Sequence, residues 1–158
     1  MTDGTATIER LYAAMEAADG DAMAALYASD ATFEDPAFGP LAGERIGAMW
    51  RMLTRRGTGI NVDLRSHEAH GTEGTAHWLA HYRFGGKQRP VVNDVHSTYR
   101  FTADGLIAEQ VDRFDLSVWA TQAMGRGQGL LGRTPILGLL MRRTTSRQLD
   151  AFLATDRA

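Results

Sequence analysis

Apolar residues recur at helical spacing from Thr5 to Ala18, where Ile8, Leu11, Tyr12 and Met15 fall at i, i+3, i+4 and i+7 and share one face. Asp19-Gly20-Asp21 interrupts that pattern, and an aspartate there suits the cap of a second, short helix. The second helix is expected to run to about Ala28, with Met23, Leu26 and Tyr27 turned inward. Ala31–Asp35 reads as a short strand, and Pro36–Gly43, with two prolines and two glycines, as a loop. Glu44–Arg56 returns to helical spacing through Ile46, Met49, Trp50 and Leu53.

The period then changes from 3.6 to 2. Ile60–His70 alternates Val62, Leu64 and Ser66 against Asn61, Asp63 and Arg65. Thr75–Phe84, Val91–Phe101 and Leu106–Asp115 follow as strands, joined by the turns "GGKQ" and "TADG". Three helices followed by a four-strand antiparallel meander predict an α+β fold, a curved sheet wrapped on helices into a cone with one open mouth. Beyond it, Pro135 suits the first turn of another helix. Ile136, Leu139, Leu140, Arg143 and Arg147 track one side of that helix, with Leu149, Phe152 and Leu153 later. The expected division is residues 1–123 as the body and 124–158 as a Gly/Leu/Arg-rich helical extension.

A turn centred on Lys87-Gln88 would set Phe84 opposite Val91, Tyr82 opposite Asn93, Ala80 opposite Val95 and Trp78 opposite Ser97. That aromatic and small set, sparse in polar groups, suits the inner wall of a pocket. The opposite face carries His77, His81, His96 and Asp94. On the last strand, Gln110, Asp112 and Phe114 share one side.

Composition narrows the function. A net charge of −2 offers no basic field for nucleic acid. The chain has no cysteine, which excludes disulfides, thiol chemistry and cysteine-bound metal. The N-terminus lacks the basic start and apolar run of a signal peptide, and no apolar stretch reaches the ~20 residues of a membrane span, so a cytoplasmic protein is expected. Charge is uneven: residues 124–158 hold six arginines and two acids, a net of +4, which leaves −6 on the remainder.

The stretch "AADGDAMAALYASDATFEDPAFGP" and the later "HSTYRFTADGLIAEQVDRFD" resemble the ketosteroid isomerase-like, or SnoaL-like, branch of the NTF2-like superfamily, over roughly residues 5–115. The resemblance implies a cone-shaped α+β fold, commonly dimeric, with an apolar pocket. Its members include isomerases, cyclases, dehydratases, epoxide hydrolases and binding modules, so the fold selects no single reaction. The isomerases carry a general-base aspartate just before the proline of this motif, and Asp35 fills that position. Of their oxyanion donors, a tyrosine on the first helix and a protonated aspartate on the penultimate strand, the first falls on Leu11 when aligned without gaps from Asp35, with Tyr12 one step off, and the second on Ser97 when counted back from the "YRF" strand. A true ketosteroid isomerase is therefore not expected.

The expected site joins Asp35 and Asp112 as carboxylates with Ser97, Tyr82, Tyr99, Asn93 and Gln110 as hydrogen bonders, walled by Trp50, Trp78, Phe84 and Phe114. Two carboxylates in one apolar cavity push their proton affinities apart, so one can act as base while the other holds a proton. Such a pair serves isomerisation, ring closure, dehydration or epoxide opening on a small apolar or polycyclic molecule, with neither metal nor cofactor. The alternative is a non-catalytic binding or assembly module with the same cavity. His77, His81, His96 and Asp94 lack a recognisable metal-ligand spacing and read as an outer-face cluster, suited to a homodimer interface. "GRGQGLLG" lacks the Lys-Ser/Thr of a phosphate loop. The C-terminal helix fits packing against the body, or cover for the cavity mouth, better than peripheral contact with a membrane.

Overall fold

The computed structural model describes residues 3–55, 60–126 and 134–157. Helix α1 (Gly4–Glu16) starts where the Asp3 side chain accepts from the Thr5 amide, and α2 (Gly20–Ala24) where Asp19 accepts from Ala22. Strand β1 (Tyr27–Asp35), β2 (Gly39–Ala42) and α3 (Glu44–Arg55) follow, then β3 (Asn61–His70), β4 (Glu73–Phe84), β5 (Arg89–Phe101) and β6 (Ile107–Arg113). Helices α4 (Leu116–Met124) and α5 (Pro135–Asp156) complete the described chain, α5 opening on the expected proline.

The predicted meander β3–β6 is present, but the sheet has six strands in the order β2-β1-β6-β5-β4-β3. Strand β1 runs parallel to β6, and β2 pairs antiparallel with β1. Two expectations change here. The segment 36–43 is not all loop: its second half is an edge strand, where Pro40 is tolerated because edge amides need no partner. The second helix stops at Ala24, and Tyr27 belongs to β1. The glycine-rich expectation falls largely on residues 127–133, outside the described residues.

Strand register corrects a third expectation. The β4–β5 hairpin closes at Phe84↔Arg89 around a four-residue loop, with Gly85 and Gln88 at positive φ, so Tyr82 faces Val91 and Trp78 faces Val95. The pairing is two residues from the predicted one. A shift of two preserves the pleat, so Trp78, Ala80, Val95 and Ser97 still point inward and are buried. In β3, an irregularity between Leu64 and Ser66 breaks the alternation, so that Val62 and Leu64 are half-buried before it and His67 and Ala69 after it.

The helices α1 to α3 fill the concave side of the sheet with Ile8, Leu11, Met15, Met23, Ile46, Met49 and Trp50 against Phe33, Trp78, Tyr99 and Ile107. Helix α2 packs so closely on α3 that a Cβ on Gly20 would lie 2.6 Å from Arg51 Cα. Gly20→Ala therefore forces backbone apart and should cost about 1–3 kcal/mol, read as a lower denaturant midpoint at unchanged slope.

The C-terminal helix is tied to α3 at its far end. Arg45 pairs with Asp150 at 2.8 Å, Arg55 with Asp156 at 2.8 Å, and Glu44 accepts from Arg157. Arg55 also lies over the Phe152 ring. Leu149 enters the main core with no exposure. Nearer its start, Leu137 joins a second cluster with Val91, Trp119, Ala120 and Ala123. No helix among the described residues is long and apolar enough to cross a membrane.

Candidate functional site

Asp112 lies on β6 opposite Ser97 of β5, and both are buried. The Ser97 hydroxyl donates to Asp112 Oδ1 at 2.6 Å, and Gln110 Nε2 donates to the same oxygen at 2.9 Å. Ser97 Oγ in turn accepts from Trp78 Nε1 at 2.9 Å and from the Tyr12 hydroxyl at 3.3 Å. Having one hydrogen and two lone pairs, Ser97 is then fully used. Tyr12 spends its proton on Ser97, so the 2.6 Å contact between Tyr12 and Tyr99 is donated by Tyr99. A second chain arrives through Gln110: Trp50 Nε1 donates to Tyr27 at 3.0 Å, and Tyr27 donates to Gln110 Oε1 at 2.5 Å.

Both chains therefore point their hydrogens at one carboxylate oxygen. Burial raises the proton affinities of Tyr12, Tyr27 and Tyr99, and the nearby Asp112 charge raises them further. The tyrosines stay protonated and remain donors. For Asp112, burial pushes the pKa up to about 6, while the bonds from Ser97 and Gln110 hold it from going higher.

Asp35 sits at the end of β1, where Pro36 fixes the chain as it leaves the strand. Its Oδ1 accepts from the amides of Ala37 at 2.9 Å and Phe38 at 2.5 Å, a turn closed by its own side chain. Part of the residue's surface remains open, but protein surrounds the carboxyl. Burial raises its pKa to about 7; the Phe38 amide opposes this, the Asp112 charge adds to it, and the Ala37 amide and the Arg142 guanidinium oppose it. Neighbouring Glu34 is exposed on the other side of β1.

Each carboxylate is thus gripped by Oδ1 alone. Among the described residues neither Oδ2 has a donor, and neither Oδ2 is fully enclosed.

The remaining expected residues divide. Trp50, Trp78, Tyr99, Ser97 and Gln110 join the network around Asp112. Tyr82 faces the same side, but its hydroxyl accepts from Trp119 Nε1 at 2.6 Å. Asn93 is half-buried opposite Ala80. Phe114 is half-buried between the two apolar clusters. Phe84 is no pocket wall: it is 37% exposed and meets Trp119 edge-on at 5.1 Å. The longer hairpin loop leaves Phe84 at the strand end, beyond the cone.

Three participants were not in the expected set. Tyr12 comes from the α1 core face, one position from the ungapped alignment. Tyr27, expected on a helix, starts β1. Arg142 lies far along the sequence, with its Cδ 3.0 Å from where a Cβ on Gly39 would stand.

The middle of the cone is densely occupied. Tyr12, Tyr27, Trp50, Trp78 and Tyr99 meet there and are nearly without exposure. Two open cavities lie elsewhere: about 450 Å³ between Glu68, Glu73, Arg100 and Glu109, and about 380 Å³ along α5. On the outer sheet face, His77 Nε2 lies 2.8 Å and His96 Nε2 3.6 Å from Asp94 Oδ1, with the two rings stacked at 4.2 Å. These three could jointly hold a metal ion, but they sit across the sheet from the carboxylates. Trp78→Phe removes one donor to Ser97 and part of a buried indole; it should cost about 2–4 kcal/mol, measured by urea unfolding.

Residues 8–110 fit the model of the SnoaL-like domain. That is more than half of the chain. The chain belongs to the SnoaL-like family. Solved structures share the fold. One is an epoxide hydrolase/cyclase-like enzyme, SalBIII, described in pyran ring formation in the polyether salinomycin; it is 14% identical, with a TM-score of 0.63 over 70% of this chain and 89% of that one. Another is a hypothetical protein with a ketosteroid isomerase-like fold from Catenulispora acidiphila DSM 44928, in complex with trimethylamine; it is 22% identical, with a TM-score of 0.65 over 74% of this chain and 91% of that one. No curated protein matches the chain in sequence.

Proposed function

We propose that this SnoaL-like chain is a cofactor-independent acid–base enzyme acting on a small apolar or polycyclic molecule, by isomerisation, cyclisation, dehydration or hydrolysis. The supporting observation is the pair of elevated carboxyls, Asp35 and Asp112, each held through one oxygen with the other unpartnered. Between about pH 6 and pH 7 the pair carries one proton. Asp112 has the lower of the two values and is the partner assigned to ionise first, while Asp35 keeps its proton to higher pH. In the working form Asp112 removes a proton from substrate carbon or hydroxyl. Asp35 gives its proton to the carbonyl, leaving-group or epoxide oxygen on which charge develops. This assigns the base to Asp112, where the resemblance implies Asp35.

Phe38 and Phe114, both only partly buried, would line the apolar approach. Ligand entry requires some of the packed aromatic side chains to turn aside, and that dense packing is also what favours the second reading, a binding module without turnover.

The test is turnover of a panel of apolar epoxides, β-hydroxy ketones and β,γ-enones in chelator-treated buffer. We expect conversion of at least one class, with a bell-shaped pH profile whose limbs fall near pH 6 and 7. Asp112→Asn should lower kcat by about 10²–10⁴-fold. Binding of the panel without any conversion would select the second reading.

A further inference from the structure

Helix α5 treats its charges differently along its length. At the C-terminal end Asp150, Asp156 and Arg157 are paired with α3. Nearer its start, Arg142, Arg143 and Arg147 have no hydrogen-bond or ion-pair partner among the described residues. These three arginines and Ser146 line the 380 Å³ groove, and Leu139 supplies its apolar wall. Leu139 is 51% exposed, as is its neighbour Leu140 at 53%.

The groove sits beside the turn that follows Asp35. The Thr145 hydroxyl, 2.9 Å from the Met141 carbonyl of its own helix, also lies 3.1 Å from the Ala37 carbonyl, which lays α5 across the turn that Asp35 closes. The aliphatic arm of Arg142 lies against Gly39, in space that a side chain there would take. Gly39 also has φ +70°, so the position favours glycine twice over. The guanidinium of Arg142 is close enough for its field to act on Asp35. Three guanidiniums with no ion pair among the described residues, with a hydroxyl and a leucine, form a shallow, open surface suited to an anion on an apolar body.

We infer that the groove of Arg142, Arg143, Ser146 and Arg147 binds the carboxylate, sulfate or phosphate group of a soluble amphiphilic ligand whose apolar part enters at Asp35. This rests on the acid–base reading above and adds the substrate class: an acidic apolar molecule, not a neutral one.

Two dyes with one aromatic frame separate the claims. Anilinonaphthalene sulfonate carries the anion, and N-phenyl-1-naphthylamine lacks it. Fluorescence titration of the full chain should show both binding. R142A/R143A/R147A should weaken the sulfonate by roughly tenfold or more, the loss of one strong charge-assisted contact, and leave the neutral dye unchanged. Added salt should weaken only the sulfonate. Melting curves confirm that the variant is folded, and the milder R142K, which keeps the charge, should retain most of the sulfonate affinity. Sulfonate binding that ignores the arginines while the neutral dye binds would overturn the groove and spare the acid–base site. Arginine-dependent sulfonate binding without neutral-dye binding would spare the groove and count against the apolar hollow. Binding of neither dye would overturn both. Arginine-dependent sedimentation with phosphatidylglycerol vesicles, absent with phosphatidylcholine, would overturn the soluble ligand and reassign the groove to a lipid surface; we expect no sedimentation with either.

Discussion

Asp35→Asn should make the protein more stable at pH 8, by on the order of 2–4 kcal/mol, and no more stable at pH 3. The carboxyl rises from an ordinary 3.8 to about 7 on folding, chiefly through burial. Below the lower value both states hold the proton and the group contributes nothing. Between the two values the unfolded chain ionises while the folded chain stays protonated, so the unfolded state binds fewer protons and stability falls with rising pH. Above about 7 the full penalty is present and constant. Asparagine removes it and keeps an Oδ1 to accept from Ala37 and Phe38. For a chain of this length the gain should raise Tm by roughly 5–15 °C at pH 8. A variant less stable than the parent at pH 8 would mean that the carboxylate is a structural turn-former and not a strained functional group.

Leu149→Ala should cost about 2–5 kcal/mol. Leu149 has no exposure, and its side chain belongs to the same apolar cluster as Ile8, Met49 and Trp50. A loss of that size, seen in one cooperative transition, would mean that the C-terminal helix folds with the body. The expected boundary at residue 124 would then mark a change of composition and not of folding unit. A cost below about 0.5 kcal/mol, or a separate early transition, would mean a loosely applied extension. The ion pairs to α3 cannot make up such a loss, because exposed pairs contribute little.

The elements that periodicity located were the local ones. Ile8, Leu11 and Met15 announce α1, and the β3–β6 strands alternate plainly enough to place Ser97, Gln110 and Asp112 on one side. That facing survived a register wrong by two residues, since only odd shifts exchange faces. What escaped was non-local. The parallel pairing of β1 with β6 has no sequence period of its own, and β2 opens on Gly39 and Pro40, residues that read as loop. Tyr12 looked like ordinary core, because an amphipathic face does not say which of its residues reaches a hydroxyl network. Arg142 could be read as basic, but its position against Gly39 and Asp35 depends on how a helix a hundred residues later lies down. Phe84 was misplaced because a four-residue loop and a two-residue turn differ by only a pair of glycines in the text "GGKQ".

The directed hydrogen bonds bear on function in the same way as the pKa pattern. Tyr99, Tyr12 and Ser97 on one side and Trp50, Tyr27 and Gln110 on the other all donate toward Asp112. A carboxylate needed only for packing would be satisfied at lower cost by an apolar residue of similar volume.

The most direct measurement is a pH titration of the chain labelled with carboxyl-¹³C aspartate, with Asp35→Asn and Asp112→Asn assigning the signals. Two resonances should titrate far above the rest, with midpoints near 7 and 6. If every aspartate titrates near ~3.9, the two carboxyls share no proton at neutral pH and the acid–base account is wrong.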